Sequence, residues 1–248
     1  MSFSPQVCLI HGWAANHHIF DELLRRLPEH WRIFAPDLPG HGSAGFQGRF
    51  DVAETADRIA AELADGSFIV GWSLGGLVAL HIAARHPHKV RALCLTASFA
   101  KFRATPDYPE GLSNPALDKM ITLFRQDYHK YMKQFLQLQF LYAKEQQGIM
   151  EQVLPDIVKH GAPKALNEAL QAVARADARA LLPQIGAPVL LVFGGKDTIT
   201  PPRMGHYLQM HLPNAEFALI EKAAHAPFLS HASEFARLLA DFGSRHGF

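Results

Sequence analysis

Residues 67–84 constrain the fold more than any other part of the chain. An apolar run at 67–70 leads into Gly-Trp-Ser-Leu-Gly-Gly at 71–76, and a stretch of helical composition follows at 77–84. The pattern predicts a strand, a sharp turn with Ser73 at its apex, and a helix. Gly71 and Gly75 fit this turn because side chains there would clash with a serine in strained backbone. The start of the helix would point unpaired amides at the space beside the serine.

Six short apolar runs predict six strands. They lie at 7–10, 31–36, 67–70, 91–97, 189–193 and 216–220, and helical patterns at 16–27, 51–64, 77–84, 202–211 and 233–242 alternate with them. Asp51 is a candidate N-cap for the second of these helices. Strands that alternate with helices predict an α/β fold, with a mostly parallel sheet and helices on both faces.

The alternation stops between residues 104 and 179. This stretch has no strand-like run, and it carries helical patterns at 117–124, 128–142 and 165–174. We therefore expect a helical cap (lid) subdomain at 104–179, inserted between the two halves of the core at 1–103 and 180–248.

Composition excludes several classes of function. The net charge of +1 gives no general attraction to nucleic acid or to a membrane, and no apolar run is long enough for a span or a signal segment. Cys8 and Cys94 lie in apolar runs and indicate buried thiols rather than a disulfide framework. The histidines lack metal-binding spacing, and phosphate-loop and dinucleotide motifs are absent. We expect a cytoplasmic monomer with no cofactor and no metal.

Three residues with catalytic chemistry follow predicted strands. Parallel sheets collect functional groups at the carboxyl ends of their strands, and Ser73, Asp197 and His225 each come after one. Their order along the chain is that of α/β-hydrolases. His225 would accept the proton of the Ser73 hydroxyl, while Asp197 would orient the imidazole. The backbone N–H groups of Leu74 and Trp13 would stabilise the oxyanion.

Each of these residues also has an ordinary structural explanation when it is taken alone. Asp197 could cap a turn, His11 could shape its loop, and Asp37 could bond within its own turn. A rival acid would have to follow the strand at 91–97, but Ser98 and Phe99 stand there. The agreement of several motifs in the right order favours a serine hydrolase.

Five motifs together resemble one family. They are His-Gly-Trp at 11–13, Asp-Leu-Pro-Gly-His-Gly at 37–42, Gly-Trp-Ser-Leu-Gly-Gly at 71–76, Phe-Leu-Gln-Leu-Gln at 135–139 and Lys-Ala-Ala-His-Ala-Pro-Phe at 222–228. From about residue 7 to the C-terminus, the chain is similar to the methyl ester esterases that act on pimeloyl-acyl carrier protein in biotin synthesis. The resemblance implies a carboxylesterase with Ser73, Asp197 and His225 as its triad and an acyl carrier protein as its partner.

The resemblance also implies roles for other residues. Trp13 and Leu74 would contact the substrate near the oxyanion, and residues 135–139 would line the acyl channel: Phe135, Leu136, Gln137, Leu138 and Gln139. Basic residues of the cap would hold the acidic carrier protein: Arg125, Lys130, Lys133 and Lys144. This set is richer in lysine than the arginines of the family, and each member alone also fits a solvated helix face. Because the first strand begins at Val7, we expect fewer edge strands than the family usually has.

Other functions on the same scaffold stay open at this point. A broad-specificity short-chain carboxylesterase without a carrier partner would use the same triad, as would carbon–carbon bond hydrolases and cofactor-free haloperoxidases. A scaffold protein with an inactive triad is a third possibility. Substrate choice depends on the cap, where sequence patterns are least specific.

Overall fold

The computed structural model describes residues 5–143 and 147–248. Six parallel strands form one sheet in the order β2-β1-β3-β4-β5-β6. The strands are β1 (Gln6–Ile10), β2 (Arg32–Phe34), β3 (Ser67–Trp72), β4 (Val90–Thr96), β5 (Val189–Gly194) and β6 (Ala215–Ile220). The predicted strands and their parallel arrangement are confirmed.

Ten α-helices surround the sheet in the described part of the chain. They are α1 (Asp21–Leu24), α2 (Val52–Glu62), α3 (Leu74–Arg85), α4 (Asn114–Gln126), α5 (Tyr128–Gln139), α6 (Gln147–Val158), α7 (Leu166–Arg175), α8 (Pro202–His211), α9 (Pro227–Ser230) and α10 (Ala232–Arg245). None of these helices has both the length and the apolar character that a membrane crossing requires.

The sheet is buried on both faces. Along β1, Val7 and Leu9 join one hydrophobic core, whereas Cys8 and Ile10 join the other. The first core includes residues of α1, α9 and α10, and the second includes residues of α2, α3 and α8. Strands covered on both faces have apolar side chains at consecutive positions, which explains why the runs in the sequence do not alternate with polar residues.

The helices differ from prediction most at residues 16–27. The expected single helix is wrong: a 3-10 turn at His17–Phe20 precedes the four-residue α1. The side chain of Asn16 accepts the His18 N–H, which begins a tight turn instead of a longer α-helix. At α2 the expected cap is present, because the Asp51 carboxylate accepts the N–H of Glu54 at 2.9 Å.

Helices α4 to α7 lie between β4 and β5 in sequence, and no strand of the sheet falls there in the described ranges. We propose that residues 104–179 form a cap subdomain, and this stretch is called the cap below. Helix α5 ends at Gln139, three residues before the predicted end at 142. Helix α6 was not predicted, and it contains Pro155, which is unfavourable in a helix interior.

Three helices of the cap are hydrogen-bonded to the loop after β1. The indole Nε1 of Trp13 donates to the Leu166 carbonyl of α7 at 2.7 Å. The hydroxyl of Tyr128, in α5, donates to the Ala14 carbonyl at 2.8 Å. The side-chain amide of Asn16 donates to two carbonyls of α6. Residues 13–16, called the anchor loop below, therefore hold α5, α6 and α7 together.

The start of α3 packs directly on the sheet. A Cβ atom at Gly75 would overlap the backbone carbonyl of Ile10 in β1, and one at Gly76 would overlap the hydroxyl of Ser98. A Cβ at Gly71 would lie 2.6 Å from the carbonyl oxygen of Gly75. These glycines allow the helix to approach the strands more closely than side chains would permit.

We predict that Gly75→Ala destabilises the fold. The added methyl group meets backbone atoms that cannot rotate away, so the free energy of unfolding should fall by about 2–3 kcal/mol or more. Urea unfolding monitored by circular dichroism measures this. Gly186→Ala is the matched control, since a Cβ there meets no atom within 4 Å. Equal stability of the two variants would contradict the close packing of α3.

Candidate active site

Ser73 occupies a strained turn between β3 and α3. Its backbone has φ 53° and ψ −116°, a conformation that residues other than glycine rarely adopt. Its N–H donates to the Thr96 carbonyl of β4 at 3.1 Å, and its own carbonyl accepts the Ser98 hydroxyl at 3.0 Å. In the described ranges the other non-glycine residues with positive φ are Ala14 and Ala97, which follow β1 and β4. Backbone strain is thus concentrated at the carboxyl edge of the sheet.

Asp197 and His225 form a buried acid–base pair. The Nδ1 atom of His225 lies 2.9 Å from Oδ2 of Asp197. The same carboxylate oxygen accepts the Thr200 hydroxyl at 2.7 Å, while its other oxygen accepts the N–H groups of Ile199 and Thr200. Three donors from its own turn hold the carboxylate in one orientation, so it can hold the imidazole with Nε2 free for proton transfer.

The peptide group between His225 and Ala226 is hydrogen-bonded at its carbonyl and at its N–H. The indole Nε1 of Trp72 donates to the His225 carbonyl at 2.8 Å. The N–H of the next residue, Ala226, donates to the side-chain oxygen of Gln139 at 2.8 Å. Trp72 directly precedes Ser73, and Gln139 is the last residue of α5 in the cap.

Ser73 and His225 line the same cavity. Apart from Ser73 and His225, the lining is apolar or aromatic: Trp13, Ala14, Trp72, Leu74, Phe99, Phe102, Met120, Phe124, Met132, Phe135, Leu170, Val173 and Ile199. The cap therefore supplies a large part of the apolar wall of this cavity.

The expected oxyanion donors, Trp13 and Leu74, both line this cavity. Leu74 is the first residue of α3, whose early N–H groups have no partner within the helix. Among the described residues, no acceptor is hydrogen-bonded to the N–H of Trp13 or Leu74. The role of both amides as oxyanion donors stays a prediction.

The segment at 135–139 has only one member in the cavity wall. Phe135 lines the cavity, and its ring centroid lies 6.1 Å from that of His225. Leu136 is buried in the core, while Gln137 and Leu138 are exposed. Gln139 is buried and engages Ala226. The predicted contact of the segment with substrate therefore fits Phe135 in this structure and does not fit the other four side chains.

The predicted carrier-binding residues have different surroundings. Lys130 and Lys133 are exposed on α5. The guanidinium of Arg125 is hydrogen-bonded to the side chain of Asn167, so it is less available. Lys144 lies outside the described residues.

His11 and Asp37 lie in the loops that follow β1 and β2, and both are hydrogen-bonded within the protein. The ring of His11 bonds to the Gly12 carbonyl and accepts the Leu38 N–H. These contacts fit the role in its loop that the sequence suggested as an alternative to a catalytic one. Burial lowers its pKa to about 4. Burial of Asp37 opposes its ionisation, but hydrogen bonds from His17 and Ser43 outweigh that effect and lower its pKa to about 2. The hydrogen-bond partners of Asp37 therefore lie outside its own turn at 37–40, in contrast to the local role considered for it.

A second buried histidine lies beside His11. The two ring centroids of His11 and His41 are 5.4 Å apart. Burial lowers the pKa of His41 to about 3, and its Nε2 has no hydrogen-bond partner among the described residues. Both rings are neutral at pH 7, and protonation of either would place a charge in a buried site.

One group of side chains has the spacing of metal ligands. Ligand atoms of His18, Asp21 and Asp156 all lie within 4.8 Å of one another, at partly exposed positions between α1 and α6. His18 Nδ1 already pairs with Asp21 at 2.9 Å, which accounts for much of this proximity. These residues are separate from those that line the cavity.

Comparison with known proteins agrees with this geometry. A family model described as the alpha/beta hydrolase fold matches residues 5–232. A bromoperoxidase from Bacillus anthracis and an esterase from Exiguobacterium antarcticum each superpose with a TM-score of 0.86, at 21% and 23% identity; both cover 98% of this chain, which spans 92% of theirs. At such identities these two structures indicate the fold alone. The chain belongs to the α/β-hydrolase family.

Closer relatives narrow this class. The chain is 60% identical over 237 residues to a protein of Neisseria meningitidis and 35% identical over 237 residues to one of Chromobacterium violaceum. Each alignment covers 96% of this chain and 93% of the relative, and both relatives are named pimeloyl-acyl-carrier protein methyl ester esterase. Within the α/β-hydrolases the chain belongs with these esterases, as the motif resemblance indicated.

Three important contacts were not predicted from the sequence. Thr200 lies within 3.1 Å of His225 Nδ1, Ser98 bonds to Ser73, and Gln139 bonds to Ala226. Thr200 could have been found, because a hydroxyl three residues after an acid is a local turn signal. The other two join residues that are 25 and 87 positions apart, so no local pattern reveals them.

We predict that His41 makes stability depend on pH. The unfolded chain takes up a proton at His41 below about pH 6.5, whereas the folded chain excludes it until about pH 3. The stability that comes from keeping His41 neutral in the folded chain is therefore fully present above about pH 6.5, and it is lost as the pH falls toward about 3. Between pH 7.5 and pH 5, His41→Asn should lose about 2 kcal/mol less stability than the wild type in urea unfolding.

His88→Asn is the control for this measurement, because it removes an exposed imidazole. An identical pH dependence of the wild type and His41→Asn would contradict the burial of an uncharged His41.

Proposed function

We propose that this chain is a serine carboxylesterase that hydrolyses the methyl ester of pimeloyl-acyl carrier protein to pimeloyl-acyl carrier protein and methanol in biotin biosynthesis. One observation carries the proposal: Ser73 and His225, the latter paired with Asp197, line a single apolar cavity. The 60% identity to proteins named for this activity supports the choice of substrate.

Acylation would begin when Ser73 Oγ attacks the ester carbonyl. His225 Nε2 takes the serine proton, and Asp197 accepts the hydrogen bond from Nδ1 of the imidazolium. The oxyanion would form beside the N–H groups of Trp13 and Leu74. Their hydrogen bonds would stabilise the transition state, in which negative charge develops on that oxygen. The carbon–oxygen bond to the methyl group's oxygen then breaks, and His225 returns the proton to release methanol.

Deacylation would repeat these steps with water. His225 removes a proton from a water molecule as the water oxygen attacks the acyl carbonyl on Ser73. The second tetrahedral intermediate uses the same two N–H groups. Breaking the bond to Ser73 Oγ releases the pimeloyl carboxylic acid, which gives its proton to water, and His225 returns its proton to Ser73 Oγ.

The cavity wall fits an aliphatic acyl chain. Met120, Phe124, Met132 and Phe135 from the cap line the cavity and offer no hydrogen-bonding group beyond weak sulfur acceptors. Each methylene buried against such a wall contributes about 0.8 kcal/mol. An apolar chain would therefore bind in the cavity while the bulky carrier protein stays outside.

We predict that Ser73→Ala abolishes methanol release from methyl pimeloyl-acyl carrier protein. The loss in kcat should be at least about 10⁴-fold, since the nucleophile is missing. Ser244→Ala, which removes an exposed hydroxyl, is the control and should keep full activity. Gas chromatography of methanol gives the rate, and circular dichroism checks the fold. Full activity in Ser73→Ala would refute the triad.

Basic residues of α5 are the proposed contact for the acidic carrier protein. Lys130 and Lys133 are exposed on the helix that also contributes Met132 and Phe135 to the cavity wall. A carrier docked there would be beside the cavity that receives its acyl group. Their charges would act mainly on the rate of association.

We predict that Lys130→Glu combined with Lys133→Glu lowers kcat/KM for the carrier-bound substrate about 10-fold or more and leaves small methyl esters unaffected. The loss should shrink at high ionic strength because salt screens exposed charges. Lys159→Glu, at an exposed position beyond α6, is the matched control. An unchanged kcat/KM would favour the second candidate, a short-chain carboxylesterase without a carrier partner.

We further propose that the protein works as a cytoplasmic monomer. Cys8 and Cys94 are free and buried, and burial raises the pKa of both thiols. Unreactive, unpaired thiols fit a reducing compartment.

A further inference from the structure

We infer that Gln139 is a positioning residue through which the cap holds the catalytic base in place. The inference rests on the proposed function, because it requires His225 to act as the base. It assigns Gln139 to the His225 loop rather than to the substrate.

The first step concerns the peptide group between His225 and Ala226. Its carbonyl accepts from Trp72 and its N–H donates to Gln139, both at 2.8 Å and both in buried surroundings. A peptide group bonded at both ends cannot rotate about the bonds that flank it. Because one of those bonds starts at the Cα of His225, the backbone that carries the imidazole is held in place, while the bond from Nδ1 to Asp197 holds the ring itself.

The second step concerns Gln139 itself. Its side-chain nitrogen donates to the Phe135 carbonyl at 2.9 Å while its oxygen accepts from Ala226. The residue is only 2% exposed and is not among the residues that line the cavity. Both ends of the amide are already used within the protein, which leaves little capacity to bind substrate.

The third step links the cap to the base. Trp72 belongs to the core, whereas Gln139 ends α5 of the cap. If the end of α5 moves away, the buried N–H of Ala226 loses its partner, and a buried unpaired N–H is costly. The loop would then rearrange and carry His225 with it. The base is therefore held for catalysis only while α5 is seated on the core.

A double-mutant cycle tests this inference. Gln139→Met keeps the side-chain length but cannot accept from Ala226 or donate to Phe135. With p-nitrophenyl acetate, whose short acyl group makes no use of a long channel, kcat should fall about 10–50-fold with little change in KM. In a His225→Ala background the same substitution should cost less than about twofold, because its effect is transmitted through the base.

The acyl length of the substrate separates positioning from binding. The factor lost in Gln139→Met should be the same for p-nitrophenyl acetate and for methyl pimeloyl-acyl carrier protein. A loss that grows with acyl length and appears in KM would overturn the inference and return Gln139 to substrate binding. An equal loss with and without His225 would also overturn it.

Controls make each failure recognisable. Gln134→Met removes an exposed amide from the same helix and should leave all rates unchanged. If Gln139→Met does not fold, as judged by circular dichroism, Gln139→Asn replaces it, since the shorter amide cannot reach Ala226. Ser73→Ala is assayed alongside. Full activity in that variant would refute the proposed triad, whereas an inactive Ser73→Ala with no effect of Gln139 would refute only this inference.

Discussion

The close packing of α3 on the sheet is the constraint on which the site depends. Gly75 lets the first turn of the helix contact the Ile10 carbonyl of β1, and Ser98 holds the Ser73 carbonyl from the β4 side. Between these contacts the serine keeps a backbone conformation that would otherwise relax. Ser73 and Leu74, the first residue of the helix, line the same cavity. Ile10 of β1 and Ser98, which follows β4, thus maintain the geometry of one turn.

The parts of the fold that were predictable have local causes. Buried parallel strands are continuous apolar runs ended by glycine, proline or polar residues, so β1, β3 and β5 could be recognised from their own sequences. Ser73, Asp197 and His225 were found because each follows such a run. The structure brings Asp197 and His225 into contact and puts His225 in the cavity with Ser73.

What could not be predicted depends on contacts between distant residues. Residues 16–27 have helical spacing, yet Asn16 bonds to α6 of the cap and also caps the 3-10 turn at His17–Phe20. The apolar pattern of α6 is interrupted by Pro155, so its local propensity opposed the structure that packing produced. The segment at 135–139 gives no local sign that Phe135 faces the cavity while Gln139 turns to the His225 loop.

The anchor loop has a consequence for how this enzyme can diversify. Trp13, Ala14 and Asn16 bond to three separate helices of the cap, and Trp13 and Ala14 also line the cavity. A cap exchanged with that of a relative must therefore present a carbonyl, a tyrosine hydroxyl and a helix end at matching points. Recombination at the formal boundaries of the cap would split these partners, whereas exchanging residues 13–16 together with the cap would keep them as one inherited module.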